Sequence, residues 1–252
     1  MGTKDMPIKA VIFDLFDTLL PVSGGDAFYE PALQKIHKGL LDKGVKVSFE
    51  EFKRVYFEVR DKLYIETAST LEEPHFKVRL SRTLKKLGYD FDVSHPVVDE
   101  GAKAFAEEFK RYISLDNETV EVLQKLHGKY KLGIVSNISI PELVWELLEE
   151  FDLKRYFDTV IISGEVNRRK PHPEIFEKAL KNLGVKACET LFVGDTLSTD
   201  IKGAKSIGMY TVLIKRTNST KTLFWSSKEK TQIQPDKVIT RLNEILELLK
   251  GL

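Results

Sequence analysis

Ala10-Val11-Ile12-Phe13 is a continuous apolar run that ends on a carboxylate, Asp14. A run without polar alternation suits a strand buried on both faces, as in a parallel sheet. Ligands of open α/β sheets sit just beyond the carboxyl ends of such strands. Asp14 therefore either caps a turn or belongs to a site, and the rest of the chain has to choose.

Four more apolar runs follow: Lys131–Val135, Thr159–Ile162, Thr190–Val193 and Tyr210–Ile214. Helical patterns separate them at Glu118–Tyr130, Pro141–Phe151, Pro173–Leu183 and Thr199–Ile207, and a last helix is expected from about Lys237 to Lys250. Strands alternating with helices predict a doubly wound, Rossmann-like parallel sheet with helices on both faces.

One stretch breaks the alternation. After Pro21 and the Gly24-Gly25 pair, residues 27 to about 112 read as helices only. Phe28, Leu33, Ile36, Leu40 and Leu41 share one face, and Gly44 ends that helix. Ser48 and Glu51 form a capping-box pattern at the start of a long helix. A third helix opens at Pro74 and stops at Gly88, and a fourth runs from Pro96 to Tyr112. The expectation is an α/β core from residues 1–22 and 113–252, with a helical cap domain, 23–112, inserted after the first strand.

Composition narrows the function. The 252 residues hold 39 basic and 38 acidic side chains, a net charge of +1. That balance gives no long-range reason to expect nucleic acid, whose binding rests on a basic patch, and leaves local phosphate binding open. A single cysteine, Cys188, excludes an internal disulfide and a cysteine-based zinc site. No apolar run approaches the ~20 residues that span a bilayer. The polar N-terminus has no signal-like apolar region, so a cytoplasmic protein with no membrane or nucleic-acid partner is expected. Monomer and homodimer are equally compatible with the sequence.

The chemistry lies at the strand ends. The first strand leads to Asp14, Asp17 and Thr18, the second to Ser136 and Asn137, the third to Arg168-Arg169-Lys170-Pro171, and the fourth to Gly194-Asp195 and Asp200. A parallel sheet brings all of them to one edge. Carboxylates suit Mg²⁺, a hard cation that prefers oxygen ligands and substrate phosphates. Ser136 is able to hydrogen-bond a phosphate oxygen, and Lys170 to neutralise phosphoryl charge beside Asp14. Positioning and electrostatics are most of what phosphoryl transfer requires.

These four segments resemble the motifs of the haloacid dehalogenase-like hydrolase superfamily: Phe13–Leu19, Ile134–Asn137, Lys170–Phe176, and Val193–Asp195 with Asp200. The helical block falls where that family carries a helical cap. The resemblance implies a Mg²⁺-dependent phosphomonoesterase acting on a small phosphorylated metabolite through an aspartyl-phosphate on Asp14. It implies that Asp14, the backbone carbonyl of Phe16 and Asp195 hold the metal, with Asp200 acting through a bound water or orienting Lys170. Ser136, the Asn137 amide and Lys170 bind the phosphoryl group, and Thr18 supports Asp14 by a hydrogen bond.

Phe16 departs from the pattern. Phosphatases of the family usually place a second Asp there, two residues after the nucleophile, as general acid and base. The dehalogenase branch carries an aromatic residue instead. A 2-haloacid dehalogenase-type hydrolase is therefore the alternative, with a weakly active binding protein behind it. Gly194-Asp195 and Asp200 argue for the metal and hence for phosphate.

Other residues read as structural: His172 as an N-cap or surface residue, Glu165 as a loop brace, Arg168 and Arg169 as solvated charge rather than a reach to the substrate phosphate, and His37, His75, His95 and His127 as packing or surface groups. The cap aromatics Phe52, Tyr56, Phe57 and Tyr64 read as core, with one or two of them as the alternative lining of a substrate cavity. Trp225 covers an apolar patch or a subunit contact.

Overall fold

A computed structural model describes residues 7–216 and 232–252. Trp225 lies outside them. Six strands form one parallel sheet in the order β3-β2-β1-β4-β5-β6. They are β1 (Ala10–Phe13), β2 (Lys131–Ser136), β3 (Thr159–Ile162), β4 (Thr190–Gly194), β5 (Tyr210–Ile214) and β6 (Lys237–Ile239). β1 is central, and the order of strands reverses on its two sides, between β2 and β4. Such a switch point opens a crevice at the carboxyl edge of the sheet.

Between β1 and β2 run four long helices, α1 (Tyr29–Asp42), α2 (Phe49–Glu66), α3 (Phe76–Lys86) and α4 (Pro96–Lys110), then α5 (Asn117–Leu126). After β2 come α6 (Pro141–Glu150), the short α7 (Ser163–Val166) behind β3, α8 (Pro173–Leu183), α9 (Lys202–Ser206) and α10 (Glu244–Leu248). Local chemistry sets the ends. Ser48 Oγ accepts from Glu51 N–H at the start of α2, and His75, His95 and His172 each accept a backbone N–H through Nδ1 as N-caps. The ring nitrogen of a neutral His serves here as the hydroxyl of Ser does elsewhere.

β1 shows why the sheet needs two layers. Val11 and Phe13 face the core shared with α1–α6 and α10, whereas Ala10 and Ile12 face the layer of α8 and α9. Successive side chains of a strand point to opposite faces, and all four residues are fully buried.

The chain leaves and re-enters the sheet region at adjacent points. Val22 and Ile113 form an antiparallel bridge. Ser23 N–H donates to Tyr112 O, and Ser114 N–H to Pro21 O. Gly24 and Gly25 beside this crossing take φ of +74° and +56°, the left-handed region that glycine enters without steric cost.

Two elements differ from expectation. The segment from Lys237 is not one helix: Lys237-Val238-Ile239 pairs in parallel with β5, and the helix is confined to Glu244–Leu248. Three residues are too few to reveal a strand period, and the available edge of β5 decides the outcome. The helix expected at Thr199 begins earlier as a π-turn, Leu197–Ile201, before α9.

Candidate active site

Asp14 sits one residue beyond β1, with its N–H donating to Val193 O at 2.8 Å. The loop after it is tightly held. Leu19 and Leu20 N–H both donate to Leu15 O, and Asp17 N–H donates to Leu20 O. Asp17 adopts φ +58°, and its Oδ1 accepts from Val22 N–H at 3.0 Å. That bond turns the Asp17 carboxylate toward the crossing point. From outside the loop, Thr119 Oγ1 donates to Leu19 O at 2.7 Å and Arg216 Nη2 to Thr18 O at 2.8 Å.

Lys170 lies opposite Asp14 across the switch point and is 2% exposed. Its Nζ is 2.5 Å from Asp14 Oδ1, 2.7 Å from Asp200 Oδ1 and 2.8 Å from Val135 O. Asn137 holds its backbone from both sides. The Asn137 carboxamide accepts from Lys170 N–H at 2.8 Å and donates to Lys170 O at 3.1 Å. Asp200 Oδ2 in turn accepts from Thr196 N–H, and Thr196 Oγ1 donates to Asp195 Oδ1. Gly194 permits this packing: a Cβ there would lie 2.5 Å from the Cβ, Cγ and Oδ2 of Asp200.

Asp14, Asp195 and Asp200 each present a carboxylate oxygen, all within 4.8 Å of one another. Three carboxylates face one ammonium in a nearly dry volume. Burial, reinforced by Asp200 and opposed by Lys170, pushes Asp14 up to about 7. Burial, with Asp200 and Asp14, raises Asp195 well above the carboxylate range. Burial disfavours the Lys170 charge, but Asp14 and Asp200 outweigh it and raise its pKa. The lysine thus stays charged, and burial, more than the neighbouring negative charge, makes the acids hard to ionise. An all-oxygen donor set with excess negative charge fits a hard divalent cation.

The sequence expectation therefore places Asp14, Lys170, Asp195 and Asp200 together correctly. Ser136 ends β2; it is fully buried, and its Oγ has no hydrogen-bond partner. The Phe16 carbonyl accepts no hydrogen bond among the described residues. The Phe16 ring packs against Phe109 of α4, centroids 5.7 Å apart.

Thr18 departs from expectation. Its hydroxyl is buried without a partner, so the expected bond to Asp14 is absent, and its carbonyl is engaged by Arg216 instead. Arg169 is not solvated charge, and Arg168 is a half-exposed charge with partners. Arg168 pairs with Glu72 and Glu174. Arg169 Nη1 donates to Thr67 Oγ1 and to Glu72 O, Nη2 donates to Thr67 O, and its N–H donates to Leu71 O. The loop before Lys170 is thereby fastened to the segment after α2. The Asn137 side-chain role was also not anticipated. An amide beside Ser136 was visible in the sequence, but its partner 33 positions away was not.

Comparison with known proteins points one way. The family model described as haloacid dehalogenase-like hydrolase matches residues 8–208. A glyceraldehyde 3-phosphate phosphatase of Methanocaldococcus jannaschii is 30% identical over 97% of this chain and 98% of its own. A haloacid dehalogenase-like phosphatase structure from Thermococcus onnurineus superposes with a TM-score of 0.61 at 27% identity, covering 97% of this chain and 99% of that one. A 2-haloacid dehalogenase from Pseudomonas syringae pv. Tomato DC3000 superposes with a TM-score of 0.73 at 24% identity, over 97% and 99% of the two chains, and that likeness concerns the fold.

Proposed function

The chain belongs to the haloacid dehalogenase-like hydrolases, and from that premise we propose that it is a cytoplasmic, Mg²⁺-dependent phosphomonoesterase with Asp14 as nucleophile. One observation carries the proposal: Lys170 bridges Asp14 and Asp200 at the switch point, with Asp195 close enough to complete a cation site. Asp14, Asp195 and the Phe16 carbonyl would hold the cation, with Asp200 behind them. Bound there, it would supply positive charge to the phosphoryl oxygens and keep Asp14 ionised.

The remaining roles fall to this chain's own side chains. The Asp14 carboxylate attacks phosphorus, the leaving oxygen departs, and water then hydrolyses the aspartyl-phosphate. The unpartnered Ser136 hydroxyl donates to a phosphoryl oxygen, and the Lys170 ammonium offsets charge on the same group. Asn137 keeps Lys170 in register through its two backbone bonds. Residues 23–112 act as the cap over a core of 1–22 and 113–252, and the Phe16–Phe109 contact joins the two beside the nucleophile. The substrate is a small phosphorylated metabolite. Glyceraldehyde 3-phosphate, for which the Methanocaldococcus relative is named, is the first to test.

The test is phosphate release from p-nitrophenyl phosphate with and without Mg²⁺, in the wild type and in Asp14→Asn. Turnover that needs both Mg²⁺ and Asp14 is expected. Phe16 favours one other reading, carbon–halogen hydrolysis. Chloride release from 2-chloropropionate without metal, together with no phosphatase activity, would establish it instead.

A further inference from the structure

A second group of largely buried polar side chains adjoins the loop before Lys170, unused by the chemistry proposed for the carboxylate cluster. Arg79 on α3 is 8% exposed. Its Nη1 donates to Tyr56 Oη at 3.2 Å, while its Nε has no partner. No carboxylate forms an ion pair with it among the described residues. Its guanidinium lies 5.5, 5.9 and 6.0 Å from the ring centroids of Phe76, Tyr56 and Tyr64.

The Tyr64 ring is shared. The Arg169 guanidinium lies 5.4 Å from its centroid, and Arg169 immediately precedes Lys170. Glu73, 4% exposed, feels both the Arg169 and the Arg79 charges. Neither the Glu73 carboxylate nor the Tyr64 hydroxyl has a hydrogen-bond partner among the described residues, and neither is sealed off from accessible space. The group is anchored to the site at two points. Phe76 N–H donates to Ser139 O at 2.7 Å, three residues beyond Ser136, and Arg169 N–H donates to Leu71 O at 2.8 Å.

A buried guanidinium without a direct ion pair and a buried carboxylate without donors are costly to keep. The aromatic rings offset part of the cost for Arg79. Together the three groups offer a strong acceptor, a phenol and a charged donor, lined by aromatic carbon. That set complements hydroxyl and carbonyl oxygens on a short carbon chain. Glu73 repels a second carboxylate at the same place.

We propose that Glu73, Tyr64 and Arg79 bind the uncharged, hydroxylated tail of the phosphorylated substrate, so that the enzyme selects short aldose or polyol phosphates over phosphates with an acidic tail. This deepens the phosphatase reading and rests on it. O–H groups of the tail donate to Glu73, and its carbonyl or hydroxyl oxygen accepts from Arg79 Nη2 and Tyr64 Oη.

The experiment compares kcat and KM for glyceraldehyde 3-phosphate, 3-phosphoglycerate and p-nitrophenyl phosphate in the wild type, Glu73→Gln, Tyr64→Phe and Arg79→Met. The wild type should prefer glyceraldehyde 3-phosphate to 3-phosphoglycerate. In Glu73→Gln and Arg79→Met the ratio of kcat/KM for glyceraldehyde 3-phosphate to that for the aryl phosphate should fall about tenfold or more, mainly through KM, as loss of a hydrogen bond to a charged group implies. Tyr64→Phe should lower it by less. Glu73→Gln should also narrow the discrimination against 3-phosphoglycerate. Should Arg79→Met fail to fold, Glu73→Gln and Tyr64→Phe decide the matter. Aryl phosphatase activity with a ratio unchanged in these variants overturns the tail site and leaves the phosphatase reading standing. A wild type that prefers 3-phosphoglycerate overturns it as well. A wild type that hydrolyses none of the three overturns both.

Discussion

Asp14→Asn in metal-free protein isolates the electrostatic state of the site. At an effective dielectric of about 20, the Lys170 ammonium 2.5 Å away attracts the ionised Asp14 by roughly 7 kcal/mol. The Lys170 ammonium outweighs Asp200 but not burial, which decides the direction: Asp14 is pushed up to about 7 from 3.8. Below the unfolded pKa both states are protonated. As pH rises, the unfolded chain ionises first and the native acid keeps its proton, so stability falls until the folded pKa is passed. Between about pH 5 and about pH 8 this amounts to about 2.5 kcal/mol, or roughly 5–10 °C in Tm for a chain of this size. Asn mimics the protonated acid. In EDTA, Asp14→Asn should gain on the wild type by about 2.5 kcal/mol between about pH 5 and about pH 8, and unfold at a higher temperature near pH 8. Excess Mg²⁺ should stabilise the wild type increasingly as pH rises, because its ligands must be ionised to bind, and should stabilise Asp14→Asn less. Thermal unfolding followed by circular dichroism measures all four conditions. Parallel pH profiles for the two proteins in EDTA, or a variant less stable near pH 8, would refute the reasoning.

Three further outcomes follow from the geometry. Phe16→Asp removes the ring from Phe109 and supplies an acid. It should raise kcat/KM on alkyl phosphates about tenfold more than on aryl phosphates, whose leaving groups need little protonation, as parallel assays on the two substrate types would read. Gly194→Ala forces a Cβ to 2.5 Å from Asp200; urea denaturation should show a loss of about 1–3 kcal/mol, typical of overpacking, alongside a fall in phosphatase activity. Asn137→Ala strips both side-chain bonds from the Lys170 backbone. It should cost about 1–3 kcal/mol in the same denaturation assay and lower kcat more than it raises KM.

Much of this protein follows from local sequence. β1, β3 and β5 lie where their apolar runs predict, because a strand buried on both faces must be written as consecutive apolar residues. Parallel pairing then sends every carboxyl end to one edge, so Asp14, Ser136, Lys170 and Asp195 converge without knowledge of any contact. The helical residues between Gly25 and Lys110 were legible for a similar reason, since a 3.6-residue apolar period repeated over several turns has no strand equivalent.

The tertiary structure decided what depends on distant partners. β6 has three residues and no readable period; it became a strand because β5 offered an open edge. Thr18 gives its carbonyl to Arg216 across 198 positions, and its hydroxyl goes unbonded. Arg169 reads as surface charge until the fold brings Thr67 and Glu72 to it from 102 and 97 positions away. Periodicity and motif spacing report which edge a residue reaches, because those are properties of the local backbone. Which group meets it there depends on how separate segments pack, and that selection made Asn137 a brace for Lys170 and left Glu73, Tyr64 and Arg79 with bonds to give.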